Sequence, residues 1–440
     1  MTKDTAASVP SGVLARLLAI KQDELAAVIW SFAYFFCILS AYYMLRPVRD
    51  AMAIVSGVPT IPWLFTGTFA VMVIVSPLFG WVASRFPRKQ FLPWVYYFFI
   101  SNILMFFVLF TYAQNNDVDQ VWIGRSFFVW LSVFNLFVVT VFWSFMADIY
   151  SREQSRRLFG VISAGGSTGA FLGPMITGAL VVPVGFQNLL PLSALLLLAG
   201  VFCIYRLRHW VRQQEDEPDS DGIESDQAIG GDALEGIRRV FEKPYFRAIA
   251  IALLLANFVG VVAYMYMAEL VSVAFDDTDR QTQVFAWIDA AINALSFIGQ
   301  LILVKHSVRK LGIGWTLALL PLVSVVGFAL LALQPVFAVM AGLQIFRRSL
   351  TFGFAKPTSD MLYSVVSAEE KYKVKNFVET AVYRAGDLIA VWIVRLLGGI
   401  GISAIAIICI PIAIVWTMIV LWIGREYYRL DKSAQARESA

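Results

Sequence analysis

The chain of 440 residues is 59% hydrophobic, 15% aromatic and only 15% charged, with a net charge of +4 and a mean hydropathy of +0.71. Soluble domains carry about 25% charged residues, so this composition excludes a soluble globular protein and calls for an apolar solvent. The modest basic excess lies between hydrophobic blocks, which reads as membrane topology rather than nucleic-acid binding.

Residues 1–10 are polar and lack the charged start, apolar core and small-residue cleavage site of a signal peptide, so no processing is expected. In 11–20, Val13, Leu14, Leu17 and Leu18 recur at helical spacing with Arg16 opposite, the pattern of a helix lying flat on a membrane surface. A hydrocarbon core of ~30 Å takes about 20 helical residues. That ruler predicts six spans at 25–53, 60–84, 91–113, 121–150, 158–182 and 189–207. It predicts six more at 246–275, 283–304, 314–333, 336–366, 377–398 and 402–424. The expected fold class is an all-α membrane protein, twelve transmembrane helices in two pseudo-symmetric six-helix bundles. Residues 1–21 precede the first bundle (22–205), a linker (206–244) leads to the second (245–424), and 425–440 form a tail. The linker begins basic, turns acidic and glycine-containing between Glu215 and Asp232, and ends basic, the composition of a solvated tether.

Of the Lys and Arg residues, 26 fall on the side of the predicted spans that carries both termini, and one, Arg280, on the other. Positive residues stay inside, so both termini and the linker are expected in the cytoplasm and the chain in a bacterial inner membrane. A short internal echo, Ala147-Asp148-Ile149-Tyr150-Ser151 against Ser359-Asp360-Met361-Leu362-Tyr363-Ser364, suggests related halves.

Eight cations lie inside the predicted spans: Arg46, Arg49, Arg125, Arg347, Arg348, Lys356, Arg384 and Arg395. Each costs roughly 2.5–3.5 kcal/mol at mid-membrane and persists where it faces protein or an aqueous cavity. Arg125 and Arg395 lie near span ends and are expected to snorkel. Arg347 and Arg348 come about eleven residues into span ten, or ~16 Å at 1.5 Å per residue, which is near the middle. Arg384 and Asp387, three apart, share a helix face and can pair. So can Arg46 and Asp50, four apart, which would leave Arg49 as the surplus positive charge. Lys356 precedes Pro357, which bends or breaks a helix and frees a carbonyl. With Asp50, Glu379 and Asp387 as the intramembrane acids, cations are in excess, which favours a site for an anion. The competing reading is a set of neutralising bridges that only fixes helix packing. Tyr42, Tyr43 and Tyr383 stand beside these cations, placed either to stack on a planar ligand or to pack.

Enzymatic readings fare poorly. Gly165-Gly166-Ser167-Thr168-Gly169 matches a nucleophile elbow, yet His209 and His306 fall in predicted loops, leaving a buried serine without a base. No phosphate-binding loop of the Walker type and no histidine–glutamate zinc helix occurs. Cys37, Cys203 and Cys409 sit in separate apolar runs and read as core hydrophobes, not disulfides or metal ligands. No enzyme activity, cofactor or metal is expected, and transport, if present, would be secondary.

The stretch from Gly80 to Lys89 resembles the loop signature of the major facilitator superfamily: a glycine, three residues, an acid–arginine pair, a glycine and two basics. Ser84 stands where that pattern has the acid and Pro87 where it has the second glycine; Arg85 and Arg88 are kept, and Asp148 could substitute for the acid. Span five, with Gly169, Gly173, Pro174 and Gly178, is similar to the same superfamily's glycine–proline motif. Small residues allow close helix approach and the proline allows bending. Gly80, Arg85, Arg88, Asp148, Gly169, Gly173 and Pro174 therefore read as gating positions.

The stretch from Arg347 to Asp387, with Lys356-Pro357, Glu369-Glu370-Lys371 and Tyr383-Arg384-Ala385-Gly386-Asp387, resembles bacterial relatives of the ATP:ADP antiporter family. Leu45-Arg46-Pro47-Val48-Arg49-Asp50 is similar to that family's first-helix motif, and Phe142-Trp143-Ser144 and Arg156-Arg157-Leu158-Phe159-Gly160 fit as well. The resemblance spans all twelve segments and implies a facilitator-type fold that exchanges or takes up nucleotides through a basic central site, with Arg49 in a phosphate-binding role. The family's nucleotide exchangers also carry acids in helices four and seven. Here 129–143 and 256–268 have none, and Asn135 and Asn257 are the nearest polar groups.

The sequence thus leads to a secondary carrier working by alternating access on an organic, phosphorylated anion, nucleotides included. Its site is expected between the bundles near mid-depth, with Arg46, Arg49, Arg347, Arg348 and Arg384 as cations and Asp50, Glu379 and Asp387 balancing them. The alternatives are a proton-coupled exporter of amphipathic compounds and a non-transporting membrane scaffold or sensor. The expected partners are a small anionic substrate and the lipid bilayer, with no nucleic acid, and the expected state is a monomer.

Overall fold

The computed structural model describes residues 21–22, 24–85, 88–215 and 233–438. The surface helix expected at 11–20 and most of the acidic part of the linker lie outside the described residues.

In hydrocarbon every backbone N–H and C=O must be satisfied within its own segment, so long apolar runs become helices. The first half gives α1 (Leu25–Val55), α2 (Ile61–Arg85), α3 (Arg88–Asn115), α4 (Val121–Ile149), α5 (Arg152–Val184) and α6 (Leu189–Glu215). After a short helix, α7 (Ala233–Glu242), come α8 (Pro244–Ala274), α9 (Thr278–Ile298) and α10 (Val304–Leu333). Span ten is α11 (Phe337–Leu350) and α12 (Lys356–Met361); α13 (Ala368–Phe377) leads into span eleven, which is α14 (Tyr383–Leu397); α15 (Ile402–Glu438) ends the chain. The described residues contain no strand.

Among the described residues nine helices are long and apolar enough to cross a membrane: α1 to α6, α8, α10 and α15. The three predicted spans that are not among them, eight, ten and eleven, are each interrupted by a π turn, at Gly299–Leu303, Thr351–Ala355 and Val378–Val382. A π turn inserts an extra residue into the helical ladder and often marks a functional segment. Spans ten and eleven also hold most of the intramembrane charges. Large apolar side chains such as Trp94, Trp122 and Leu396 point outward, which suits a lipid environment.

The helices form two compact units. Unit 1 falls within Met1–Met52, Ala70–Asp226 and Thr278–Ala290, and unit 2 within Ala53–Phe69, Gln227–Asp277 and Ala291–Ala440. In unit 1, α5 lies directly on the backbone of α1. A Cβ at Gly165, Gly169 or Gly173 would stand 2.4, 2.5 or 2.7 Å from the carbonyl oxygens of Phe32, Phe36 and Ser40. The Thr177 hydroxyl completes this seam by donating to the Met44 carbonyl at 2.8 Å. The Gly165–Gly169 run is thus a helix-packing face and not a nucleophile elbow; Ser167 donates to the Ser163 carbonyl within α5. Cys37 and Cys203, far apart in sequence, are both free, buried thiols. Unit 1 packs its third span on its sixth, α3 on α6, and unit 2 does the same with α10 on α15.

Within the linker, residues 206–215 continue α6 and Ala233–Glu242 form α7, so part of it is helical. Glu370 of α13 holds α7 in place, accepting from Arg239 Nη1 at 2.6 Å and Lys243 Nζ at 2.5 Å. Burial pushes the Glu370 carboxyl up, but the two cationic donors outweigh it and hold the group below its ordinary range. Glu24 is matched in unit 1: burial raises it, and bonds from Arg157 at 2.7 and 3.1 Å, the Lys21 backbone and Gln154 bring it below its usual value. Next to it, α5 starts with a capping box in which Ser151 and Gln154 satisfy each other's backbone N–H.

Candidate functional site

The unit 1 cations sit on the inner turns around Pro47 in α1. Arg49 sends Nε and Nη2 to the same Asp50 oxygen at 3.0 and 2.6 Å, and its guanidinium lies 5.0 Å from the centre of the Phe128 ring. Arg46 turns instead to α9, with Nε 3.6 Å from Asp289 Oδ2 and the guanidinium 5.7 Å from the Tyr43 ring centre. Tyr42 and Tyr43 contact each other edge to face, and Tyr42 is buried. This reverses the expected pairing: Asp50 belongs to Arg49, and Arg46 is the cation that reaches another helix. The acid that draws it, Asp289, lies inside predicted span eight and adds to the three intramembrane acids expected from the sequence. Glu269, inside predicted span seven and one residue beyond the 256–268 stretch, is a further acid and is exposed.

In unit 2, Arg347 is only 9% exposed. Its Nη2 donates to Gln344 Oε1 at 3.1 Å, one turn earlier on α11, and its Nε is buried without a hydrogen bond. No carboxylate pairs with it among the described residues. Arg348 follows directly, half-buried. Arg384 and Asp387 share the face expected of them but form no direct ion pair; the guanidinium lies 5.9 Å from the centre of its neighbour's ring, Tyr383. Asn257 of α8 is committed to structure, its amide donating to the Tyr383 carbonyl at 2.9 Å beside Gly386. Lys356 is half-exposed and joins Glu379 at 2.6 Å and Asp360 at 3.7 Å, while Lys375 meets Asp360 at 2.8 Å. Asn135 is half-buried on α4.

The remaining positions have plainer surroundings. Arg125 lies 4.6 Å from the centre of the Trp122 ring, as a snorkelling group would. Arg395 does more than snorkel: it donates to the Pro59 carbonyl, and Trp392 beside it donates to Thr66 at 3.1 Å. Of the gating positions, Arg85 and Asp148 are exposed at helix ends, and Gly169, Gly173 and Pro174 are buried in α5. Gly80 lies in α2 and Arg88 begins α3; their side-chain surroundings lie outside the described residues.

These cations sit in two helical units that repeat one packing scheme, and the family model of the Major Facilitator Superfamily matches residues 28–374. The chain belongs to this superfamily. It is a multi-pass membrane transporter with a small-molecule substrate. It is 23% identical to ADP,ATP carrier protein 2 of Chlamydia pneumoniae, over 97% of this chain and 93% of the relative. The protein of the same name from Chlamydia trachomatis is 21% identical, over 93% and 89%. Among solved structures, a bacterial homologue of the iron transporter ferroportin, in an inward-facing state, is similar in fold with a TM-score of 0.62. It is 12% identical, over 92% of this chain and 98% of that one. A bacterial metal transporter matches over the same shares at 11% identity and a TM-score of 0.55. At these identities the structural likeness concerns the fold alone.

Proposed function

We propose that this facilitator-superfamily chain is a secondary carrier that works by alternating access and moves an organic, phosphorylated anion, nucleotides included, by exchange or ion coupling. The observation that carries this reading is Arg347, buried and, among the described residues, hydrogen-bonded through its side chain only to a neutral amide. A guanidinium does not give up its proton, and removing it from water costs several kcal/mol unless a counter-charge is present. The counter-charge then comes from the substrate. In the proposal, Arg348 and Arg384 with Glu379 and Asp387 are the further substrate-handling charges of unit 2, and Arg46 and Arg49 with Asp50 and Asp289 those of unit 1. The similarity to the Chlamydia carriers supports a nucleotide as first candidate. The 26-to-1 distribution of Lys and Arg supports both termini in the cytoplasm of a bacterial inner membrane.

Proteoliposomes loaded with unlabelled ADP are expected to exchange labelled ADP. Failure with ADP, a hexose phosphate and inorganic phosphate alike would overturn the anion reading. A second reading, proton-coupled export of amphipathic compounds, is favoured by 29% identity over 44% of this chain to Multidrug resistance protein 1 of Bacillus subtilis. Protection of cells from such compounds without anion flux would select it.

A further inference from the structure

Two uncharged residues determine how Arg347 is presented. Gln344 is 4% exposed, and its Oε1 accepts from one edge of the guanidinium at 3.1 Å. Gly260 of α8 lies at the other edge, where an added Cβ would stand 3.2 Å from Nη1, tighter than ordinary contact. Behind them, the Thr351 hydroxyl holds the Arg347 carbonyl at 2.9 Å, at the point where α11 gives way to its π turn. The guanidinium is therefore aimed by one acceptor and given room by one missing side chain, and neither cancels its charge. Neutrality at 344 is the informative feature. A glutamate there, three residues before Arg347 on the same helix face, would place a carboxylate within reach and satisfy the cation from inside the protein.

We propose that Gln344 and Gly260 are positioning residues that keep Arg347 oriented but uncancelled, so that anionic substrates are selected over neutral ones. The inference rests on the anion-carrier reading, and its test separates the two. Reconstituted wild type, Gln344→Glu, Gln344→Ala and Gly260→Ala are assayed for exchange of labelled ADP, a hexose phosphate and inorganic phosphate, and melted in detergent. For Gln344→Glu the expected result is a KM raised about ten-fold or more with an apparent Tm at or above wild type, because the buried cation gains a partner as the substrate loses one. Gln344→Ala should raise KM less and melt lower, and Gly260→Ala should raise KM with little change in kcat. An unchanged KM in Gln344→Glu overturns the inference while leaving the carrier reading intact. So does a raised KM that comes with the same fall in Tm as Gln344→Ala, since that is the signature of a merely structural glutamine. A wild type that exchanges none of the three probes overturns both.

Discussion

In unit 1, Arg49 places two nitrogens on Asp50 and Arg46 faces Asp289; in unit 2, Arg347, the more deeply buried, has among the described residues only the amide of Gln344 as a side-chain hydrogen-bond partner. The same side chain does opposite jobs. A paired arginine also serves the fold, because removing it takes a charge partner from a buried carboxylate. On the proposal, an arginine held by a neutral acceptor adds little to the fold and receives its counter-charge from the substrate. The backbone repeats this division, since the three π turns of the described residues fall between Gly299 and Val382, beside the charges of spans ten and eleven.

The comparison can be broken most forcefully at Arg49. Arg49→Ala leaves Asp50 buried without its bidentate partner and should destabilise unit 1 by ~3–5 kcal/mol, read as a loss of melting temperature with the ADP assay run on the surviving folded fraction. Gly169→Leu attacks the frame beneath it. The side chain would be driven into the α1 backbone, where a Cβ already meets the Phe36 carbonyl at 2.5 Å, at a cost of about 1–3 kcal/mol or more. A subtler test uses pH. Glu370 is held below its ordinary range, so the stability it lends is fully present above the unfolded carboxylate value and lost as pH falls through its lower folded one. Hydrogen exchange in α7 should accelerate only in acid below the usual carboxylate range, and Glu370→Gln should show that acceleration already at neutral pH. The smallest effect is expected for Trp392→Phe, which removes one neutral hydrogen bond to Thr66 and should cost about 1 kcal/mol; a loss as large as that of Arg49→Ala would erase the distinction between neutral and ionic ties.

Much of the fold was legible, because spans, basic loops and the glycine face of span five follow from local composition and spacing. Pairing was not. The four-residue spacing of Arg46 and Asp50 favours a bridge on an isolated helix, but Asp289 arrives from α9 and takes Arg46, leaving Asp50 to its immediate neighbour. Spacing along one helix cannot register a carboxylate from another. Arg384 and Asp387 fail for a related reason, as the guanidinium settles over Tyr383 just after a π turn. Residue type singles out Arg347 in the sequence, but that no carboxylate among the described residues pairs with it is visible only in the fold. Gln344 and Gly260 carried no sequence signal at all, being an amide and a glycine in an apolar helix.

The most direct test of this contrast is a paired measurement on Arg347→Ala: exchange of labelled ADP, a hexose phosphate and inorganic phosphate in proteoliposomes, and melting temperature of the same preparation. The account predicts that the exchange seen in wild type is lost, by about 100-fold or ~2.7 kcal/mol, while the variant melts at or above wild type because an uncompensated buried charge has gone. Retained exchange, or a loss that comes with melting well below wild type, would contradict it.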